Sequence, residues 1–193
     1  MEPEKRLSDE INRCKIAAKN IVCEHKFLDD PPHLTIIVSQ VENKEQWEDK
    51  FWNIASRYHK FTLEVTGWHV FEETGNMKTL ACDVEKTQDL SEFQKEISLL
   101  LKQYKNGRLS RYDDIKNPEL LSNVEEYGFP FVGDIWSPHI TIGSFNEIDF
   151  INVKEMLESR CPKGSFALES ASIIDVSEDE YRKLSSRRLS HNG

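Results

Sequence analysis

Apolar positions along the chain switch between two periods, and the switching predicts its elements. Over residues 4–24, Leu7, Ile11, Cys14, Ile16, Ala17, Ile21 and Val22 fall at roughly helical spacing. The spacing returns in 44–58, where Trp47, Phe51, Ile54 and Ala55 share one side. It returns again in 90–104, with Leu90, Phe93, Ile97, Leu100 and Leu101 on one side. Runs rich in Ile, Val, Thr and aromatic residues predict strands at 33–41, 61–71, 78–84, 139–145, 166–176 and 181–189. Asp29-Asp30-Pro31-Pro32 delivers the chain into the first strand, because a residue before proline avoids the helical region. Gly67 marks an interruption in the second strand. Asn117 before Pro118 reads as the cap of a short helix, and Asn146 as the cap of a helix at 147–159.

In order, these are helix, strand, helix, strand, strand, helix, long loop, strand, helix, strand, strand. Each half carries a strand followed by a helix and two further strands. The echo predicts an α+β fold over residues 1–193. It would be a bilobal, duplicated unit with antiparallel sheets lining a central cleft, helices packed outside, and residues 1–30 as an N-terminal helical extension. Residues 106–136 are punctuated by Gly107, Pro118, Gly128, Pro130 and Gly133 and read as a long loop or lid. Tyr112, Tyr127, Phe129, Phe131 and Trp136 make that stretch too aromatic for a disordered tract.

Two of the predicted strands open on the same device. His33-Leu34-Thr35 sits within Pro-Pro-His-Leu-Thr-Ile-Ile, and His139-Ile140-Thr141, 106 positions later, within Ser-Pro-His-Ile-Thr-Ile-Gly. On a strand, residues two apart share a face and lie about 6.6 Å apart, so each histidine travels with its threonine while Leu34 or Ile140 points to the core. One such triplet is an ordinary hydrogen-bonded strand residue; two with matching flanks in equivalent places define a site. A pair of imidazoles supplies a general base and a general acid near neutral pH. The two hydroxyls can donate to the non-bridging oxygens of a phosphodiester, where charge accumulates in the transition state. Metal ligation would want a third histidine or a carboxylate in the motif, and neither copy has one. No metal site is expected.

The charge balance narrows the ligand. Against 25 Lys and Arg stand 34 Asp and Glu, a formal net charge of −9, so the overall field opposes long polyanions. A small nucleotide or a terminus suits this chain better than structured RNA. Cys14, Cys23, Cys82 and Cys161 have no CxxC spacing and read as free thiols in a reducing compartment. The charged start, Met-Glu-Pro-Glu-Lys-Arg, and the lack of any long apolar run predict a cytoplasmic protein with no membrane span.

His33-Leu34-Thr35 and His139-Ile140-Thr141 resemble the twin H-x-[S/T] signatures of the two-histidine (2H) phosphoesterase superfamily. That superfamily includes the 2′,5′ RNA ligase and RNA 2′,3′-cyclic phosphodiesterase proteins. Val65-Thr66-Gly67-Trp68-His69-Val70-Phe71, the strand from Leu80 to Val84 and Trp136-Ser137-Pro138-His139 resemble further segments of it, over roughly residues 31–189. The resemblance implies a pseudo-twofold α+β fold, metal-independent chemistry without a cofactor, and substrates with 2′,3′-cyclic or 2′,5′-linked phosphate.

The expected catalytic set is therefore His33, Thr35, His139 and Thr141, with the choice of base and acid left open. Trp68, Tyr112, Trp136 and Tyr181 are candidates for stacking a nucleobase. Arg108, Arg111, Arg182 and Lys183 are candidate phosphate contacts. His69 lies in a strand but lacks a threonine two positions on, and is left outside the site. The expected partner of a monomeric chain is a nucleotide or short oligonucleotide with a 2′-linked phosphate, RNA 3′ ends included. Rival ligands are 2′,5′-oligoadenylate, cyclic oligonucleotide signals and ADP-ribose cyclic phosphate, and the rival class is a nucleotide-binding module without turnover.

Overall fold

A computed structural model describes residues 1–22, 25–73, 76–176 and 181–190. The chain forms two compact units. The first comprises Met1–Leu34, Thr62–Glu85 and Pro138–Arg188, and the second Thr35–Phe61, Lys86–Ser137 and the stretch from Leu189.

The first unit is built on a sheet. Its strands are β1 (Glu2–Pro3), β2 (Phe61–Glu72, whose first residue belongs to the second unit), β3 (Met77–Val84), β4 (His139–Asn146), β5 (Gly164–Asp175) and β6 (Arg182–Arg188). They are ordered β1-β5-β2-β3-β4, with β6 also on β5. The β1/β5, β2/β3, β3/β4 and β5/β6 ladders are antiparallel. Helices α1 (Lys5–Lys19) and α5 (Glu147–Leu157) lie against it, α1 on β4 and α5 on β3 and β4. Leu7 and Ile11 of α1, Val153 and Leu157 of α5, and Leu63, Leu80, Ile140, Ile142 and Phe145 of the strands make the core. The buried face of α1 is Leu7, Ile11, Cys14 and Ala18, while Ile16 and Ile21 are exposed. The α+β architecture with an antiparallel sheet agrees with the sequence.

The predicted strand at 33–41 differs in kind. It is extended backbone with isolated antiparallel bridges, Leu34 to Ile140 and Val41 to Lys105, rather than a continuous ladder. Leu34 also exchanges two hydrogen bonds with Met1, its N–H donating to Met1 O at 2.8 Å and its carbonyl accepting from Met1 N at 2.9 Å. Backbone pairing therefore passes from β4 through Leu34 to Met1 and back to β1, which leaves this stretch of the motif no open edge. The two-residue β1 had no periodic signal to announce it. The predicted bend at Gly67 is a register shift in the β2/β3 ladder between Val65 and Gly67.

The second unit is mostly helical: α2 (Lys44–Ala55), α3 (Gln88–Lys102) and α4 (Pro118–Tyr127), with single 3₁₀ turns at Ser110–Tyr112 and Gly133–Ile135. The Thr87 hydroxyl caps α3 by accepting from Leu90 N–H. Asn117 caps α4 by accepting from Glu119 and Leu120 N–H, with Pro118 at the first turn where its missing N–H costs nothing. Gly128 ends α4 in the left-handed region, φ 76°, which glycine adopts without penalty. The stretch 106–136 is ordered by its aromatics: Tyr112, Val124, Phe129 and Val132 form a core of their own, against which Ile37, Val38 and Tyr127 pack. The buried Gln94 amide spans to it, donating to Phe131 O and accepting from Gly133 N–H. The links predicted between the strands at 61–71 and 78–84 and between those at 166–176 and 181–189 fall wholly or partly outside the described residues.

Candidate active site

Both motif histidines belong to the first unit. Around an antiparallel bridge, the neighbours of one residue lie opposite the neighbours of the other. The Leu34–Ile140 bridge therefore sets His33 level with Thr141, on the face turned away from those two buried side chains. Leu34 and Ile140 have no exposed surface and anchor the two motifs from beneath.

His33 is held in a defined state. Its Nδ1 lies 2.8 Å from Pro31 O. A carbonyl only accepts, so Nδ1 carries the proton and Nε2 keeps its lone pair. Burial pulls the imidazole's pKa down from 6.5 to about 4. The Pro31 hydrogen bond opposes the shift, and the nearby charges of the Met1 amine and Lys15 add to it. At neutral pH His33 is a neutral imidazole whose Nε2 can take a proton.

The loop that presents His33 is clamped by a buried ammonium. Lys15 of α1 is 3% exposed and donates to the carbonyls of Phe27 at 2.6 Å and Asp30 at 2.9 Å. Phe27 there takes a positive φ of 67°. Burial lowers the Lys15 pKa to about 8, with Asp30 and Asp29 opposing. Lys15 stands four residues after Ile11 on the apolar stripe of α1, so a lysine at a core position of the helix was the available signal.

Tyr181, at the head of β6, packs its ring 5.2 Å from that of His33. Its hydroxyl is buried without a hydrogen-bond partner among the described residues, and burial pushes the phenol well up. Trp68 donates its indole N–H to Leu157 O at 3.0 Å and so turns toward α5. Arg182 and Lys183 are engaged by Asp175 and Glu2, each at 2.6 Å.

His139 stands on β4, directly across the β3/β4 ladder from Asp83, as Thr141 stands across from Ala81. On the other side of β3, Asp83 faces Gly67 and Ala81 faces His69. Two rows result, Gly67–Asp83–His139 and His69–Ala81–Thr141. Phe71 lies between two imidazoles, its centroid 4.3 Å from His69 and 4.6 Å from His139. His69 Nδ1 is 3.8 Å from Asp83 Oδ1, and Thr66 Oγ1 donates to Asp83 Oδ2 at 2.8 Å. None of Thr66, His69, Phe71 and Asp83 was singled out for the site by the sequence. The available signal was period-2 alternation through Gly67, His69 and Phe71, which sets one imidazole on the motif's face.

The remaining candidates lie in the second unit. Thr35 is half-buried, and its carbonyl accepts from the Trp136 indole N–H at 3.3 Å. Trp136 is 3% exposed and Tyr112 is 8% exposed, so both rings serve packing there. Arg108 is paired with Asp113 at 2.8 Å, and Arg111 lies over the Tyr112 ring. Among the described residues no group of three or more His, Cys, Asp and Glu gathers closely enough to hold a metal ion. No helix among them is long and apolar enough to cross a membrane.

Strand β4 thus carries one His-x-Thr segment, and Leu34 of the other is bridged to its Ile140. Residues 3–180 match the model of the 2′-5′ RNA ligase superfamily, and the chain belongs to that family. No curated protein matches the sequence. Among solved structures, Usb1 of Kluyveromyces marxianus matches with a TM-score of 0.47 and 12% identity over 98% of this chain and 94% of that one. A second structure, of the same protein with uridine monophosphate, gives 0.40 and 13% over 96% and 90%.

Proposed function

We propose that the chain is a metal-independent phosphodiesterase that hydrolyses 2′,3′-cyclic or 2′,5′-linked phosphodiesters of nucleotides or short oligonucleotides. Membership of a phosphoesterase family supports the reaction class. The observation that carries the mechanism is the Nδ1–H of His33 donated to Pro31, which leaves Nε2 as a base in an imidazole that is neutral at pH 7.

On this reading His33 is the general base. Its Nε2 takes a proton from the attacking water as the oxygen bonds to phosphorus. His139, entering as imidazolium, gives its proton to the departing ribose oxygen, so both products leave neutralised at the cleaved bond. Thr141 donates its hydroxyl to a non-bridging oxygen, where negative charge grows. In the reverse direction the two imidazoles exchange roles. The net charge of −9 favours a small substrate over a long one.

The test is turnover, in EDTA, of a panel holding 2′,3′-cyclic nucleotides, 2′,5′-oligoadenylate, cyclic dinucleotides, ADP-ribose cyclic phosphate and 3′,5′-linked controls. Hydrolysis is expected to survive EDTA and to fall about 10²–10⁴-fold in either His33→Ala or His139→Ala. Tight binding with no turnover of any member would point instead to a nucleotide-binding module, and activity that returns only with added metal would sink the two-imidazole mechanism.

A further inference from the structure

One hydrogen bond does not hold a ring. The contact of Nδ1 with Pro31 O fixes a single point of the His33 imidazole and leaves its plane free to swing about the line between the two atoms. A general base must present its lone pair along one direction, so that plane has to be held. Leu34, bridged to Ile140 and paired with Met1, fixes the backbone beneath it. Among the described residues the ring contact of His33 is with Tyr181, whose centroid lies 5.2 Å away with the planes 43° apart. Tyr181 is anchored in turn, because the next residue opens the β5/β6 ladder. Arg182 pairs with Asp175 both in register and by a 2.6 Å ion pair, and Lys183 bonds Glu2 at 2.6 Å.

The Tyr181 hydroxyl gives the fold nothing. It is buried and meets no partner among the described residues, which costs a folded protein about 1–3 kcal/mol. What the chain uses at this place is the flat ring. Stacking on a nucleobase would want the ring's face open, and this half-buried ring is turned to His33.

We propose that Tyr181 is a positioning residue for the reaction: its ring backs the His33 imidazole, fixes the plane that the Pro31 hydrogen bond leaves free, and keeps water from that side of the base. The charged groups that face His33 come from other elements: Lys15 from α1, the Met1 amine, and Asp30 from the loop before the motif. Glu2 of β1, with Asp30, faces Tyr181. The bridged strand β4 sets Thr141 level with His33 and carries His139 two residues away. On β6, Arg182 and Lys183 are held by Asp175 and Glu2. All these groups stay when Tyr181 is replaced, so a change in the titration of His33 reports the ring. Removing the ring admits water to the imidazole, which favours its charged form and raises its midpoint toward 6.5.

The catalytic part of this inference rests on the function proposed above, so the first measurements are independent of turnover. In the full-length chain, the ring protons of His33 are followed by NMR against pH in wild type, Tyr181→Phe, Tyr181→Leu and Tyr181→Ala, with urea unfolding of each alongside. Tyr181→Leu keeps apolar bulk should Tyr181→Ala fail to fold. The ring-current displacement of the His33 signals is expected to persist in Tyr181→Phe and to vanish in the Leu and Ala variants. The His33 midpoint rises by about half a pH unit or more in those two and stays within a few tenths in Tyr181→Phe, whose urea midpoint is no lower than the wild type's. Kinetics follow on whichever panel member the wild type hydrolyses. There kcat falls about tenfold in Tyr181→Leu with KM within about twofold, the acid limb of the pH profile moves up with the His33 midpoint, and Tyr181→Phe keeps wild-type values. His33 signals and midpoint unmoved in the Leu and Ala variants overturn the proposal. So does a loss in Tyr181→Phe equal to that in Tyr181→Leu, which would assign the role to the hydroxyl. A wild type without turnover would sink the proposed function while leaving the titration to decide the role of Tyr181.

Discussion

The His33 imidazole and the Pro31 carbonyl two residues before it are joined by a 2.8 Å hydrogen bond, which decides which ring nitrogen keeps its lone pair. The chain arranges this with little freedom. Pro31 precedes a second proline and is therefore extended, and neither proline has an N–H to compete for the carbonyl. The double proline thus does more than end a loop.

A stability consequence attaches to the same ring. With its folded pKa lowered to about 4 from 6.5, the native state binds a proton less readily than the unfolded chain. The unfolded state holds more protons between those values, so stability rises with pH across the window. His33's contribution is complete above about 6.5 and is lost as pH falls toward 4, up to roughly 3 kcal/mol. Urea unfolding at intervals from pH 7 to 4 is expected to show this slope in the wild type and to lose most of it in His33→Gln.

Replacing Lys15 by Met is expected to cost about 2 kcal/mol, because the carbonyls of Phe27 and Asp30 lose a charged donor in a place water reaches poorly. Chemical denaturation measures the loss. The same variant should lower turnover through its effect on the loop before His33, whereas Lys5→Met, on the exposed face of α1, should leave both unchanged.

Gly143 closes the second motif, and the reason is space. A Cβ there would lie 2.7 Å from Phe145 Cζ and 2.9 Å from Leu28 Cδ2. Gly143→Ala is therefore expected to destabilise by about 1–3 kcal/mol through overpacking, read as a lower urea midpoint with an unchanged slope.

Asn146 ends β4 and caps α5, its side chain accepting from Asp149 N–H at 2.9 Å. Asn146→Ala should cost about 1 kcal/mol and Asn146→Ser much less, in thermal unfolding. Asn117→Ala, at the start of α4, should cost a similar amount.

Legibility in the sequence followed the range of the interactions. Asn117 and Asn146 announced their helices because capping is settled within three residues. The strands from Phe61, Met77, His139, Gly164 and Arg182 were readable from composition and turns. Residues 33–41 looked identical in composition, yet whether extended backbone joins a ladder depends on what lies beside it, and at Leu34 the neighbours are Met1 and Ile140. The paired motifs were legible because two strands repeat a pattern. Asp83 was not, since its relation to His139 exists only in the β3/β4 register, and Trp136 read as a stacking ring although its indole N–H is spent on Thr35 O.

The bridge between Leu34 and Ile140 also bears on when the site comes into being. It closes a loop of 106 residues, costing about 2 kcal/mol more chain entropy than closing a ten-residue turn. A contact of such sequence separation is late to be repaid in folding. On a ribosome, α1 and α2 can form while His33 still waits for its counterpart, and the level relation of His33 and Thr141 begins only after β4 has emerged. Nascent or truncated chains ending before β4 therefore carry one half of the motif pair and none of its geometry.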